Sequence, residues 1–350
     1  MIKYLGSKRT LVPLIERVVG ELPARTACDL FAGTTRVGQA LRRRGLAVLS
    51  NDTASYSEAF GRAYVQAGPE VDRAALRRRL AELDALPGQP GYFTRAFCHQ
   101  ARYLRPENGA RVDAIRAAID ELDVSEVERG LLLTSLVEAA DRVDSTVGLQ
   151  MAYLKRWAPR ARNPLALREP EAVPGPCGSV AREDAGTLAP ALDVDLVYVD
   201  PPYNQHSYFS NYHVWETLVR GDEPDTYGVA NKRVDCRERK SPWNSRRTAP
   251  AALEDLLERV EAPWLLVSLN AEGFHDPAAV GERLAQRGYV ARLPVGVKRY
   301  VGAQIGIHAP DGRKVGRVSH VRTTEYLLLA GPDRAVVERA GGLAPAAVAA

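Results

Sequence analysis

Cysteine, aromatic residues and long apolar runs are all scarce in this chain. Its 350 residues hold four cysteines, Cys28, Cys98, Cys177 and Cys236, well separated and with no CxxC pair. That excludes a disulfide framework and offers no zinc-ligand spacing, so no metal site is expected and a reducing cytoplasm suits the chain. Nowhere do about 18 apolar residues run together. The N-terminal MIKYLGSKRT also lacks the apolar core of a secretory leader. A soluble cytoplasmic protein is expected, with no membrane partner. Charge of one sign is not dominant either: 47 Lys and Arg stand against 43 Asp and Glu. Any attraction to a polyanion must come from local concentration of basic residues.

What is present divides into three textures. With 45% hydrophobic residues the chain can bury a full core. Residues 1–56 alternate in the α/β manner, with a strand near 27–31, a glycine-bearing turn, a helix over about 35–44 and a strand through 46–50. Residues 57–177 show helical periodicity in VDRAALRRRLAELDAL, ARVDAIRAAIDEL and EVERGLLLTSLVEAADRV. Strands return over 178–335 in DLVYVD, PWLLVSLN, YVARLPVGV and TTEYLLLA, with helices between them. The expected architecture is a discontinuous α/β domain, 1–56 with 178–335, interrupted by a helical insertion. Residues 336–350 read as a flexible Ala-rich tail.

The turn from Asp29 through Phe31, Gly33 and Thr34 to Gly38 joins a strand to a helix. There α/β folds bring backbone close to a nucleotide-like ligand. Gln39-Ala40 replaces the Lys-Ser/Thr of a phosphate-binding loop, and Thr35 replaces a dinucleotide-site glycine. A cofactor with adenosine but no pyrophosphate fits what remains, and S-adenosylmethionine has that chemistry. Asp52, ending the next strand, is placed to accept from ribose hydroxyls; a surface cap is its alternative role. Phe31 is a candidate wall of the same pocket and equally a candidate core residue.

The second motif is Asp200-Pro201-Pro202-Tyr203, at the end of the strand LVYV. Carboxyl ends of buried strands face the ligand crevice in such sheets. Two prolines stiffen the turn and remove N–H donors. The Asp200 carboxylate and the Pro201 carbonyl can then accept both hydrogens of an amino group on a planar ring, while Tyr203 stacks on that ring. A plain proline turn, or a proline-rich ligand for another domain, are the alternatives. Asn204, His206 and Tyr208 follow on a segment able to close over such a ring.

Two segments concentrate positive charge. LQMAYLKRWAPRARNPL carries Lys155, Arg156, Arg160 and Arg162 with no acid, interleaved with Tyr153 and Trp157, and seven of the nine charged residues in NKRVDCRERKSPWNSRR are basic. Beside an amine-holding site they are candidate contacts to DNA phosphates. Solvated faces are the alternative.

These motifs, in this order, resemble the D12-class (Dam-like) N6-adenine DNA methyltransferases. Lys3-Tyr4-Leu-Gly-Ser-Lys8 is similar to the family's N-terminal cofactor motif, Asp29–Gly38 to its glycine-bearing motif, and Asp200–Tyr203 is its catalytic tetrad as it stands. The resemblance implies a Rossmann-like S-adenosylmethionine-dependent sheet, cofactor contacts from Tyr4, Lys8, Thr34 and Asp184, and target recognition by the helical insertion. It implies N6 methylation of adenine in double-stranded DNA by base flipping, in a restriction-modification or phage-defence setting, with cognate defence proteins as partners and a monomeric enzyme. Methylation of an RNA adenine or another amine, or an inactive cofactor- and DNA-binding regulator, stays open. The chain departs from the pattern at Thr34-Thr35, where a second glycine is usual.

Overall fold

The computed structural model describes residues 1–298 and 322–343. Helix α1 (Val12–Gly20) has Pro13 in its first turn and buries Leu14, Ile15, Val18 and Val19 along one side. Strand β1 (Thr26–Asp29) leads through the glycine turn to α2 (Arg36–Arg43) and β2 (Ala47–Asn51), within two residues of the sequence expectation.

Helices then dominate. They are α3 (Ser55–Gly61), α4 (Arg73–Asp84), α5 (Pro106–Asp120) and α6 (Glu126–Arg142). Side-chain caps fix two of the starts: Asp72 accepts from the Ala74 and Ala75 amides, and Ser125 from that of Glu128. After α6 the helical reading fails, because residues 143–178 hold only one short helical turn, Pro159–Arg162. Pro164, Pro170, Pro174 and Pro176 remove the N–H groups a helix there would need.

The remaining elements are β3 (Ser179–Ala181), α7 (Ala185–Leu188), β4 (Leu196–Val199), α8 (Tyr208–Asn211), α9 (His213–Arg220), β5 (Thr226–Tyr227) and β6 (Lys232–Arg233). They are followed by α10 (Ala249–Arg259), β7 (Trp264–Asn270), α11 (Pro277–Ala285), β8 (Tyr289–Lys298), β9 (Arg322–Gly331) and α12 (Arg334–Gly341). Residues 336–341, expected to be part of a flexible tail, instead belong to this last helix. Asp333 caps it, and Val336, Val337 and Ala340 are buried.

The chain forms two compact units. One comprises Met1–Tyr4, Ala32–Asp184 and His206–Ser241. It contains β2 and β3, paired in parallel with Leu49 opposite Ser179 and Asn51 opposite Ala181, and the helices α2 to α6, α8 and α9. Its core gathers Phe60, Leu76, Phe97, Tyr103, Ile115, Leu132, Leu136 and Trp215. Helix α6 is buried from Gly130 through Asp141, so it is the central helix rather than a one-sided surface helix.

The other unit comprises Leu5–Phe31, Ala185–Gln205 and Pro242–Ala350. Its strands run β1-β4-β7-β9-β8. The first three are parallel, whereas β9 is antiparallel to β7 and β8 to β9. All four residues of β4 are buried, as a central strand covered on both faces requires. In β8 buried and exposed residues alternate from Ala291 on, and Pro294 is tolerated because β8 lies at the edge. This is the mixed, mostly parallel α/β sheet expected. Its connectivity collects Asp29, Asp200 and Asn270 at the carboxyl ends of the parallel strands. Antiparallel β9 brings its beginning, with Glu325, to that same end, opposite Asn270.

Candidate active site

At the end of β4 the Asp200 side chain is largely enclosed, and Lys8 Nζ lies 3.0 Å from its Oδ1. Lys8 is itself buried and lies 3.3 Å from Glu325 Oε2. Burial pushes the Asp200 carboxyl up to about 6, with Lys8 opposing that rise and Glu325 adding to it. The same two carboxylates outweigh burial at Lys8 and hold its ammonium well above the ordinary lysine range. The sequence places Lys8 near Tyr203 or the cofactor. In the structure its direct partner is the tetrad acid.

The rest of the tetrad is braced from the segment after β7. The Phe274 N–H donates to the Tyr203 carbonyl at 3.0 Å. A side chain at Gly273 would bring its Cβ to 3.1 Å from Tyr203 Cβ, a tight contact that glycine avoids where the two segments approach. Behind Pro202 lies His275, whose imidazole burial pulls down to about 4, keeping it neutral. Asn244 donates to the Asn204 carbonyl at 3.0 Å. Phe31 meets Trp243 edge-on, with ring centroids 5.0 Å apart. Asp29, at the end of β1, is buried opposite Tyr198 in the β1–β4 register.

The glycine turn belongs to the other unit. Gly33 has φ +51, and a Cβ on it would sit 3.0 Å from Tyr4 Cε1. Both the backbone conformation and the covering ring therefore require glycine. Thr35 does in the structure what a second glycine would do: it adopts φ 59 despite its branched side chain. That conformation is held by its N–H on the Ala32 carbonyl at 2.7 Å and by Gln39 Nε2 on its hydroxyl at 3.1 Å. Thr34 is buried beside it.

Asp52 closes this turn. Its Oδ2 accepts from the Gly33 N–H at 2.9 Å and its Oδ1 from that of Ala54 at 3.0 Å. Burial raises its pKa and these amides oppose the rise. Tyr4 stacks between Tyr208 and Tyr212, at centroid distances of 5.3 and 4.5 Å, and its hydroxyl meets that of Tyr56 at 3.3 Å. The exposed Asp184 is positioned through its neighbour: the Asn51 amide exchanges hydrogen bonds with the Glu183 backbone at 3.0 and 3.1 Å.

Among the basic candidates, Lys155, Arg156 and Arg162 are exposed. Arg160 is different, because it grips the buried Asp144 at 2.6 and 2.8 Å and the Thr146 carbonyl at 2.6 Å. In the second segment Arg233 is likewise buried and paired with Asp222 and Asp235, while Arg237, Arg239 and Lys240 face solvent. All four cysteines are free thiols, and no His/Cys/Asp/Glu group able to hold a metal occurs among the described residues. No helix among them is long and apolar enough to cross a membrane.

Sequence reasoning missed Asn51, Asn270 and Glu325. A signal for Glu325 existed: it is an acid inside the otherwise apolar and polar-neutral run TTEYLLLA.

The fold is α/β with a mostly parallel sheet, and it carries an acid–Pro–Pro–Tyr corner after β4 and a tight glycine turn after β1. The particular family follows from comparison. Residues 4–250 match the D12 class N6 adenine-specific DNA methyltransferases, and the chain belongs to that family. It is 30% identical over 290 residues to "Modification methylase StsI" of Streptococcus sanguinis, covering 78% of this chain and 44% of that protein. It is 29% identical over 295 residues to "Type II methyltransferase M.NlaIII" of Neisseria lactamica, covering 80% and 87%. The chain thus spans less than half of the first relative and most of the second. A solved S-adenosylmethionine-dependent methyltransferase from Agrobacterium tumefaciens aligns over 95% of this chain and 64% of its own, at 10% identity and TM-score 0.37.

Proposed function

We propose that this chain transfers a methyl group from S-adenosylmethionine to N6 of an adenine flipped out of double-stranded DNA, as the modification enzyme of a restriction-modification or phage-defence system. Asp200 carries the reading: it is an enclosed carboxylate at the end of a central strand, tied by Lys8 at Oδ1, and its carboxylate is the acceptor offered to an incoming amine. When bound, S-adenosylmethionine supplies an electrophilic sulfonium methyl. Tyr4, Lys8, Asp29, Phe31, Gly33, Thr34, Asp52, Asp184 and Asp200 are the residues that, by the family's motif order, would hold it. Asp52 fits this role, because its carboxylate has acceptor capacity beyond the two amides it already binds.

The lone pair of an aromatic amine is spread into its ring, which makes N6 a poor nucleophile. Asp200 and the Pro201 carbonyl relieve this by accepting both N6 hydrogens, favouring a tetrahedral nitrogen whose lone pair points away from them. Positive charge growing on N6 then meets the Asp200 carboxylate. Pro202 keeps the corner stiff, and Tyr203 with Asn204 replaces part of the stacking and pairing the base loses on extrusion. Residues 1–56 and 178–335 supply the catalytic parts and 57–177 the target recognition. Lys155, Arg156 and Arg162 contact phosphates, and Arg160 shapes the segment that carries them. The enzyme acts as a cytoplasmic monomer, beside a cognate endonuclease or other defence protein.

Methylation-sensitive sequencing of DNA from cells expressing the chain tests this reading. N6-methyladenine at a fixed position in one sequence motif is expected, absent with Asp200→Ala. No new DNA methylation, or label on another base, would sink it.

A further inference from the structure

Residues beyond the family match complete the charge balance around Asp200. Glu325 on β9 stands directly opposite Asn270 at the end of β7. Asn270 Nδ2 donates to Glu325 Oε1 at 2.9 Å. The Glu272 N–H donates to Asn270 Oδ1 at 2.8 Å, which fixes the amide with its NH2 toward Glu325. The other oxygen of Glu325 reaches Lys8, which in turn reaches Asp200. Glu325 is 9% exposed, and an acid so enclosed costs free energy unless it is paired. Here two carboxylates share one ammonium, so the cluster keeps a net negative charge. Lys8 alone would have sufficed to neutralise Asp200.

We propose that Glu325, oriented by Asn270, is a positioning residue that keeps Lys8 from fully neutralising Asp200, so that the strand end stays negative toward the amine whose hydrogens Asp200 accepts. The proposal rests on the amine-methylation reading above. A lysine bound to Asp200 alone would cancel the attraction between that carboxylate and a nitrogen gaining positive charge. A second anion 3.3 Å from Nζ gives the ammonium another place to rest as the charge on N6 grows.

Among the described residues, the charged and titratable groups facing Asp200 are Lys8 from the N-terminal segment, Glu325 from β9 and Tyr198 from β4, with Tyr203 near Lys8 and Asp29 of β1 opposite Tyr198. Because Lys8 lowers the Asp200 pKa and Glu325 raises it, removing either charge moves it in opposite directions.

Glu325→Gln tests the proposal, since it removes the charge while keeping the shape and an acceptor for Asn270. Asp200 can be titrated in the full-length protein by carboxyl-carbon NMR of labelled aspartate, assigned with Asp200→Asn, alongside kcat and KM for duplex DNA across pH. In Glu325→Gln the Asp200 midpoint and the acid limb of kcat should move to lower pH, and in Lys8→Met the midpoint should move up. For Glu325→Gln, kcat near neutrality should fall roughly tenfold or more. KM and S-adenosylmethionine affinity should change by less than about threefold. Glu325→Asp, which keeps the charge at shorter reach, should recover part of the rate. Unshifted midpoints with wild-type kcat in Glu325→Gln would overturn the proposal alone. So would a rate loss matched by an equal loss of cofactor affinity, which marks a merely structural role. Absence of transfer by the wild-type enzyme would instead overturn the reading beneath it, and the NMR titration would still report whether the charges are coupled.

Discussion

The Gly33 N–H donates to Asp52 Oδ2 at 2.9 Å, binding the glycine turn to the end of the strand that follows it. Asp52 therefore has a structural duty besides the ribose contact proposed for it, and two substitutions separate them. Asp52→Ala removes both and should weaken S-adenosylmethionine binding by about 1.5–3 kcal/mol, with a lower Tm. Asp52→Asn keeps one acceptor but turns an NH2 toward either the Gly33 or the Ala54 amide, so it should lose affinity with a smaller drop in Tm than Asp52→Ala. Calorimetric titration with unaltered affinity in Asp52→Asn would reduce Asp52 to a turn lock. DNA binding without cofactor should not respond to either change.

Gly33→Ala probes the other side of the same turn. The new methyl must adopt φ near +51 and push against Tyr4, which is itself packed between Tyr208 and Tyr212. The backbone strain alone is on the order of 1 kcal/mol. Cofactor affinity should fall by tenfold or more, that is about 1.4 kcal/mol or more. Affinity equal to wild type by the same titration would show that the ring moves away and that the space beneath it is not used.

Asp200→Ala removes the charged acceptor but leaves the proline corner and Tyr203. Labelled methyl transfer to duplex DNA should drop by at least about 10²- to 10³-fold, because the same group also positions N6. S-adenosylmethionine should still bind, and near-normal transfer would end the assignment of this strand end as the amine holder. In the wild-type enzyme the rate should fall as pH drops through about 6, the value to which burial raises the Asp200 carboxyl. The sign follows from chemistry: a protonated Asp200 presents a donor where the amine needs an acceptor. An acid limb near the ordinary carboxylate value would contradict the enclosure described.

Arg160 and Arg162 are neighbours in sequence with different expected phenotypes. Arg162 is exposed, and Arg162→Ala should flatten the log–log salt dependence of DNA binding by about 0.9 if it meets one phosphate. Arg160→Ala unpins Asp144, which among the described residues keeps Lys3 as its ionic partner, and should destabilise the protein by about 1–2 kcal/mol, visible as a lower urea midpoint. An unchanged salt slope in Arg162→Ala would return this segment to an ordinary solvated face.

Much of the structure around the candidate site was legible because it is local. The β1–α2–β2 unit announces itself through two apolar runs around a glycine turn, and the tetrad follows four buried residues, Leu196 to Val199, without interruption. What stayed hidden was pairing across long separations. No periodicity in the sequence says that Lys8 meets Asp200, or that Asn270 and Glu325 face each other in one register. Arg160 misled for a related reason: a basic run looks uniform until tertiary structure commits one guanidinium to a buried acid. The helical insertion was legible only as far as Arg142, beyond which its prolines and the core around them, rather than a repeat, decide the path.

Antiparallel β9 has a consequence for how the enzyme comes to life on the ribosome. Lys8 and Glu325 are separated by 317 residues, so the anion that shares Lys8 with Asp200 leaves the exit tunnel after the rest of the corner. Every other member of the corner, the tetrad included, is synthesised earlier and must wait for it. Closing so long a loop is entropically slow relative to local contacts. A chain stalled or cut before β9 would carry the whole DPPY motif and still lack the charge opposite Lys8. The charge arrangement at this corner is thus a property of a chain extended through β9 and not of the DPPY motif alone.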